Sequence, residues 1–268
     1  MVMKNPFVTN GYAGPEYFCD RMEETQHITE MLTNENNMAL ISPRRIGKTE
    51  LIHHCFAQPA IQKDYYTFII DIYSTNSVSD LVNMFGKAII DKLRPKGIGN
   101  MVNPEITLDE IFAYLNQADK PCLVAIDEFQ QITNYADNRI EALLRTYIQR
   151  CTNAHFIFSG SHRHLMAEMF TSPARPFYQS VTLMNLKPLD IEKYKEFATA
   201  KFEERNKQFF PQRGVFPSTV FMIAILKYVF KFGCKGNKNI EIIRSILQKK
   251  GCNPSFRGLQ PFIPYYYI

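Results

Sequence analysis

The segment at residues 41–51, ISPRRIGKTEL, has the residue types and spacing needed to bind a phosphate group. A phosphate-binding loop has the pattern G-x-x-x-x-G-K-[ST] between a strand and a helix. Here Ser42 occupies the first position, and Gly47, Lys48 and Thr49 occupy the last three. An apolar run precedes the segment and a helical pattern follows it, as the motif requires. Serine in place of the first glycine departs from the pattern and could crowd the first turn.

Each position in such a loop has a physical role. Backbone N–H groups of residues 44–49 can surround phosphate oxygens at the positive N-terminus of the following helix. Gly47 lets the backbone approach the ligand closely because it has no Cβ. We expect Lys48 to reach the β- and γ-phosphates of a nucleotide and the Thr49 hydroxyl to bind Mg²⁺. The predicted nucleotide-binding residues are Ser42, Pro43, Arg44, Arg45, Ile46, Gly47, Lys48, Thr49 and Glu50.

Two adjacent acids follow the apolar run at 122–126, CLVAI. A carboxylate at the tip of a buried strand can hold magnesium, and a neighbouring carboxylate can accept a proton from an attacking water. We therefore predict that Asp127 is a metal ligand together with Thr49, and that Glu128 is the general base. The alternative is that Asp127 and Glu128 only cap the next loop.

A third candidate site lies in HFIFSGSHRHLM, residues 155–166. The apolar run ends at Ser159, and Ser161 follows two residues later. The separation of the GKT and acidic motifs fits P-loop ATPases that have an added strand between these two elements. In such ATPases, a polar residue at the tip of this strand senses the γ-phosphate and orients the attacking water. Either serine could take that role. His162 and His164 have no further ligands at metal-binding spacing, so we interpret them as surface or packed histidines.

The elements that must position these residues alternate along the first 204 residues. Short apolar runs separated by helical stretches are typical of βαβ units and a buried parallel sheet. Thr107, with Glu110 three residues later, predicts a capping box at one helix start. The predicted strands are 38–42, 65–73, 122–126, 155–159 and 180–185. The predicted helices are 49–57, 77–93, 107–118, 137–151, 162–170 and 190–209, with loops at 94–106 and 171–179.

These motifs, with GPEYFCDRMEE at 14–24 and SPARPFYQSVTLMNLKPLD at 172–190, resemble the archaeal-type ATPase family. The resemblance covers about residues 5–205, and the PRR-x-GKT form of the loop is characteristic of these AAA+-like P-loop proteins. It implies an α/β fold of the P-loop NTPase type. The sheet would be mostly parallel and five-stranded, in the order 5-1-4-3-2, with flanking helices and a small helical lid. ATP and Mg²⁺ are the implied ligands.

The resemblance also implies roles for several arginines. The family's F-x-x-R-x-x-E segment, which flanks the adenine side of the nucleotide, matches Phe18, Arg21 and Glu24. The alternative for these residues is ordinary capping of the first helix. Arg175 is the candidate arginine finger, which would stabilise charge on the γ-phosphate; its alternative is a salt bridge or loop anchor. Arg44 and Arg45 either contact phosphate or attach the loop to a neighbour.

Charge divides the chain unevenly. Residues 1–204 hold 20 Lys and Arg against 25 Asp and Glu, whereas residues 205–268 hold 11 against a single acid, Glu241. Such asymmetry predicts a boundary and an anionic partner for the tail, such as DNA or another polyanion, although a solvated basic face explains it equally well. We predict an ATPase core at 1–189. Residues 190–268 would form an atypical or incomplete lid and a basic tail.

Composition excludes several classes of protein. The chain is 46% hydrophobic and 21% charged, which argues against a mainly disordered protein. It has no uncharged apolar stretch of about eighteen residues and no apolar run near its N-terminus, so we expect neither a membrane span nor a signal peptide. Six cysteines without a C-x-x-C pair predict reduced, packed thiols, and a cytoplasmic location is expected.

The leading functional prediction is Mg²⁺-dependent ATP hydrolysis that serves as a conformational switch. The alternative is a nucleic-acid-binding or adaptor module in which the nucleotide has a structural role and the basic tail binds the partner. An unidentified protein partner and assembly into an oligomer are compatible with both.

Overall fold

The structure is a computed structural model, which describes residues 11–93, 107–190, 192–194, 196–198, 200 and 201. These residues form two compact units. The larger unit is Arg21–Lys187, and the second consists of the described residues of Met1–Asp20 and Pro188–Ile268. The predicted loop at 94–106 and the basic tail at 205–268 lie outside the described residues.

The larger unit contains a parallel β-sheet. Its strands, as far as the chain is described, are β1 Met38–Ile41, β2 Tyr66–Asp71, β3 Cys122–Asp127, β4 Ala154–Gly160 and β5 Thr182–Asn185. They lie in the order β2-β3-β4-β1-β5, and every adjacent pair is parallel. Counted from β5, this is the predicted order 5-1-4-3-2. The predicted fold class is therefore confirmed.

The central strands are apolar at successive positions because both of their faces are covered. All residues of β1 and β3 are buried, as are six of the seven in β4. The edge strand β5 has three exposed positions out of four. Strands buried on both faces lack the alternation of polar and apolar residues. For this reason the runs MALI and CLVAI predict buried parallel strands well.

Helices connect the strands. Their bounds are α1 Met22–Thr33, α2 Lys48–Phe56, α3 Pro59–Asp64, α4 Val78–Leu93, α5 Leu108–Gln117, α6 Ile140–Arg150 and α7 Arg163–Thr171. Short 3₁₀ helices lie at Pro15–Tyr17 and Phe129–Asn134. None of the described helices is long and apolar enough to cross a membrane.

Helices α2 and α4 to α7 match five of the predicted helices within a few residues. No predicted range covers helix α1, although capping of a first helix is the alternative given for Arg21 and Glu24, and the helix buries apolar and polar positions at helical spacing, namely Thr25, Ile28 and Leu32. Helix α3 was also missed; it has only six residues and begins at Pro59, a favoured first position. The sixth predicted helix, 190–209, is helical at its described positions 192–194, 196–198, 200 and 201. Position 190 is described and is not helical, and the remaining positions lie outside the described residues.

Aromatic rings support the ends of two central strands. Phe156 and Phe158 point to the same face of β4, and their ring centroids are 6.1 Å apart. The ring of Phe129 packs against Phe158 at 4.5 Å. Phe158 precedes Ser159, and Phe129 follows Glu128. Ring packing in the core therefore fixes the backbone on which two candidate site residues lie.

Helix α5 begins with the predicted capping box, which is confirmed. The Glu110 N–H donates to the Thr107 hydroxyl at 3.3 Å, and the Thr107 N–H donates to the Glu110 carboxylate at 2.9 Å. Each bond satisfies a backbone N–H group that has no partner within the first helical turn.

The capping box gives a stability prediction. Thr107→Ala removes the side-chain acceptor, so the free energy of unfolding should fall by about 1 kcal/mol in urea denaturation. Thr146→Ala is the matched control, because the exposed Thr146 hydroxyl donates to the Ala142 carbonyl within α6 and caps nothing. The control should change stability by less than about 0.5 kcal/mol. Equal losses in both variants would contradict a specific capping effect.

Candidate functional site

The candidate residues meet at the carboxyl edge of the sheet. In parallel strands the carboxyl ends lie at the same edge, where ligands bind in open α/β sheets. Ile41 at the end of β1 pairs with Gly160 at the end of β4, and Asp71 at the end of β2 pairs with Asp127 at the end of β3. The predicted phosphate loop begins at Ser42, directly beyond β1.

The Asp127 carboxylate joins two of the predicted sites. Its Oδ2 accepts a hydrogen bond from the Thr49 hydroxyl at 2.6 Å, and its Oδ1 accepts one from the Ser159 hydroxyl at 2.7 Å. Asp127 and Ser159 are both buried. The predicted magnesium ligands Thr49 and Asp127 are thus in direct contact, as oxygen ligands of one ion would be.

Glu128 lies beside this carboxylate in a left-handed backbone conformation. Its φ is 54°, and its N–H donates to Asp127 Oδ1 at 3.0 Å. Its Oε2 accepts hydrogen bonds from the Ser161 hydroxyl at 2.7 Å and from the Gln130 side-chain amide. A positive φ is uncommon for a residue with a Cβ, and such residues cluster at functional sites.

Lys48 is a buried cation with neutral acceptors. Its ammonium donates to the Ser42 carbonyl at 3.2 Å and to the Pro43 carbonyl at 3.3 Å. Burial lowers the pKa of Lys48, and the Asp127 and Glu128 carboxylates oppose this effect. Among the described residues no carboxylate lies within ion-pair distance of it. A buried charge without a counterion is costly, so an anion bound at the loop would compensate Lys48.

The loop itself turns through two left-handed residues. Arg45 has φ 65°, and Gly47 has φ 87° where it caps the start of α2. Glycine suits the second position because it adopts positive φ without strain. Ser42 replaces the first glycine of the pattern without disrupting the turn: it is buried, and its hydroxyl donates to the Pro43 carbonyl at 3.0 Å.

Arg44 attaches the loop to neighbouring elements. Its Nε donates to the Ser161 hydroxyl at 3.3 Å, and its guanidinium lies 5.5 Å from the centroid of the Tyr73 ring. Arg44 therefore links the loop to the end of β4 and to the segment after β2. Arg45 is exposed.

Arg21 supports the loop from α1. It is buried, and its guanidinium donates to the Glu24 carboxylate at 2.7 Å and to the Ile46 carbonyl at 3.3 Å. Arg21 occupies the N-cap position of α1, but no side chain makes a capping hydrogen bond there, and its contact with Ile46 joins the start of α1 to the loop backbone. Phe18 belongs to the second unit, where its ring packs edge-to-face on Tyr12 at 5.9 Å.

Arg175 lies in an ion-pair cluster. Its guanidinium contacts the Glu141 carboxylate of α6, and its Nη1 lies 3.7 Å from the Glu168 carboxylate of α7. Burial raises the pKa of Glu141, and Arg175 opposes this effect. These contacts are the loop anchor considered as the alternative. The arginine finger stays a prediction.

Two residues near the site were missed in the sequence. Asp71 ends β2 opposite Asp127. Burial raises the pKa of Asp71, and the nearby Asp127 and Glu128 carboxylates act in the same direction. The Tyr73 N–H donates a hydrogen bond to Asp71 at 2.9 Å, which lowers this pKa. An acid that ends the apolar run TFIID gives the same signal as Asp127, so this pattern could have found it. Gln130 is buried two residues after Glu128, and no sequence pattern indicates its contact.

A known family resembles this chain in sequence, and solved structures resemble it in fold. The sequence model of the family described as an ATPase domain predominantly from Archaea matches residues 18–215. No curated protein is significantly similar in amino-acid sequence. The solved Walker-type ATPase PABY2304 of Pyrococcus abyssi has a TM-score of 0.64 and 20% identity, over 91% of this chain and 78% of that chain.

Two ORC proteins of Aeropyrum pernix also share the fold. The ORC2 protein, solved as ADPNP-ADP complexes, has a TM-score of 0.57 and 15% identity over 93% of this chain and 68% of its own. The ORC1 protein, solved in complex with DNA, has a TM-score of 0.56 and 11% identity over 94% of this chain and 66% of its own. At these identities the likeness shows the fold alone. The sequence match over residues 18–215 shows that this chain belongs to the family of ATPase domains found predominantly in Archaea.

Proposed function

We propose that the chain binds Mg²⁺ and ATP at the carboxyl edge of its sheet and hydrolyses ATP, using the nucleotide state as a conformational switch. The observation that carries this proposal is the 2.6 Å hydrogen bond between Thr49 and Asp127. It brings the loop hydroxyl and the strand-tip carboxylate to one point. The buried Lys48 directly precedes Thr49, and Glu128 directly follows Asp127.

The oxygen donors fit magnesium. Thr49 and Asp127 offer a hydroxyl and a carboxylate oxygen, and no group of three or more His, Cys, Asp or Glu side chains suited to a metal occurs within the described ranges. Mg²⁺ is usually held by one or two protein oxygens, by water and by substrate phosphates rather than by a full protein cage. When bound, it would neutralise charge that develops on the phosphate oxygens.

The loop residues 42–50 would bind the phosphates. The N–H groups at 44–49 donate to phosphate oxygens, and Lys48 exchanges its carbonyl partners for the β- and γ-oxygens. Release of a buried ammonium from neutral acceptors to an anion makes this exchange favourable. Arg21 holds the Ile46 carbonyl and so maintains the loop shape from outside the phosphate site.

Glu128 would accept the proton of the attacking water. We assign the γ-phosphate sensor to Ser161, because its hydroxyl contacts both the Glu128 carboxylate and Arg44 of the loop. Ser159 would keep Asp127 oriented through its 2.7 Å bond. Arg175 could serve as a finger only after leaving Glu141, and we retain that role as a proposal.

The switch would use the contacts of Arg44. Phosphate in the loop would compete with Ser161 for the Arg44 guanidinium. Because Ser161 also donates to the Glu128 carboxylate, nucleotide binding would change the contacts around Glu128. We further propose that 1–189 is the ATPase core and that 190–268 forms the lid and basic tail.

A second candidate function is DNA binding by the tail. The supporting observation is its charge, 11 basic residues against one acid over 205–268. The ORC1 protein of Aeropyrum pernix, which shares the fold, was solved in complex with DNA. In this alternative the nucleotide is structural and the tail contacts phosphates.

Lys48→Ala tests nucleotide binding. It removes the side-chain charge that faces the β- and γ-oxygens, so the affinity for Mg·ATP should fall about ten- to hundredfold in calorimetry. Lys87→Ala, on an exposed position of α4, should leave the affinity unchanged. Equal affinity of the Lys48 variant and the parent would remove the phosphate-loop assignment.

Glu128→Gln tests the chemistry. The amide oxygen can still accept hydrogen bonds from Ser161 and Gln130, but it cannot take up a proton from water. ATP affinity should persist while phosphate release slows by about 10²–10⁴-fold. Glu23→Gln, at an exposed site on α1, serves as the charge-matched control. Undiminished hydrolysis by the Glu128 variant would leave that residue as a loop cap.

The DNA-binding alternative predicts salt-sensitive affinity. Contacts between the tail and phosphates release counterions, so the logarithm of the association constant should fall with the logarithm of salt by about 0.9 per contact. The full chain is compared with a chain ending at residue 204 and with a full-length variant in which Lys227, Lys231, Lys235 and Lys238 become Gln. If all three bind DNA equally, the tail has no part in binding.

A further inference from the structure

We propose that Gln130 is a positioning residue that orients Glu128 for proton uptake from the attacking water. This inference rests on the proposed hydrolysis and deepens it. In that step the water oxygen bonds to the γ-phosphorus, the bond from this phosphorus to the bridging oxygen of ADP breaks, and the proton of water passes to Glu128. The step requires one carboxylate oxygen to face the water.

The hydrogen bonds of Glu128 are unequally distributed between its two oxygens. The Gln130 amide and the Ser161 hydroxyl both donate to Oε2. The described residues offer no hydrogen bond to Oε1. Two donors on one oxygen occupy its lone pairs and fix the plane of the carboxylate, which leaves Oε1 free to accept a proton. A base held by another group is the arrangement that proton transfer generally requires.

The Gln130 amide has a single workable orientation. Its Nε2 faces Glu128, and its Oε1 is buried without a hydrogen-bond partner. Rotation of the amide by half a turn would place two acceptor oxygens against each other. A buried acceptor without a partner is rare and destabilising, so it calls for an explanation. Donation to Glu128 provides that explanation.

Packing at the end of β4 holds Gln130 in place. A Cβ on Gly160 would overlap both the Gln130 Oε1 and the Met166 side chain. Gly160 therefore makes room for the amide between the strand end and Glu128. The Thr133 hydroxyl donates to the Gln130 carbonyl at 2.8 Å, which fixes the backbone on the other side. Packing thus confines the side-chain amide of Gln130, and a hydrogen bond holds its backbone.

Gln130→Met is the principal test, because methionine has nearly the same length and no donor. We expect kcat to fall about ten- to hundredfold, the range for a hydrogen bond to a charged group, with KM for ATP and ADP affinity within twofold of the parent. The melting temperature should not fall, because the variant also removes the unpaired oxygen. A merely structural role predicts the opposite, a lower melting temperature with parallel losses of binding and rate.

Gln131→Met is the matched control. The neighbouring amide donates to the Thr75 carbonyl at 2.9 Å instead of to Glu128. This variant should keep the kcat of the parent. A decrease equal to that of Gln130→Met would show that any loss of an amide in this segment slows the reaction, and it would overturn the proposal.

A double-mutant cycle with Glu128→Gln separates action through Glu128 from other effects. If Gln130 acts through that base, Gln130→Met should cause no further loss of rate in the Glu128→Gln background. Additive losses would overturn the positioning role. Undiminished hydrolysis by Glu128→Gln alone is a different outcome, which refutes the proposed base itself.

A measurement without turnover completes the test. The side-chain N–H resonances of Gln130, followed by NMR in the full chain, should exchange slowly with solvent in the parent and faster in Glu128→Ala. Unchanged exchange would show that the hydrogen bond does not form in solution. Slow exchange combined with full activity of Gln130→Met would also overturn the proposal.

Discussion

The buried carboxylate of Asp127 is the group on which the arrangement of the site depends. Its two oxygens accept hydrogen bonds from Thr49 at the start of α2 and from Ser159 at the end of β4. A carboxylate away from water must be hydrogen-bonded, so both hydroxyls are held to it. The phosphate loop is therefore joined to two central strands through one side chain. The loop arginines add contacts around this connection without replacing it.

The sheet makes this connection possible through its strand order. Strand β1, which leads into the loop, lies between β4 and β5, and β3 lies on the far side of β4. Asp127 at the end of β3 contacts both Ser159 at the end of β4 and Thr49 at the start of α2. Below them, the rings of Phe129 and Phe158 are in contact at 4.5 Å. The polar site thus rests on a packed aromatic layer with little freedom to shift.

Patterns that are local in sequence could be predicted, and contacts between distant side chains could not. The strand ends, the GKT motif and the Thr107 cap are written in consecutive residues, while the strand order came from the family resemblance. The contacts of Arg44 with Ser161 and of Arg21 with Ile46 depend on tertiary packing of long, flexible side chains. For Arg175, sequence allowed both a finger and an anchor, because a guanidinium binds phosphate and carboxylate alike. The roles of the site residues and the domain limits stay predictions.

The placement of β1 has a consequence for how the chain folds. Met38 of β1 pairs with Ile157 of β4 and with Thr182 of β5, both far downstream in the sequence. The first strand therefore has no neighbour until most of the larger unit has been synthesised. Pairings between such distant residues form slowly, because a long loop must close before any contact is gained. During translation the apolar strand β1 is therefore unpaired until β4 has been synthesised, and an unpaired apolar strand favours aggregation of the nascent chain.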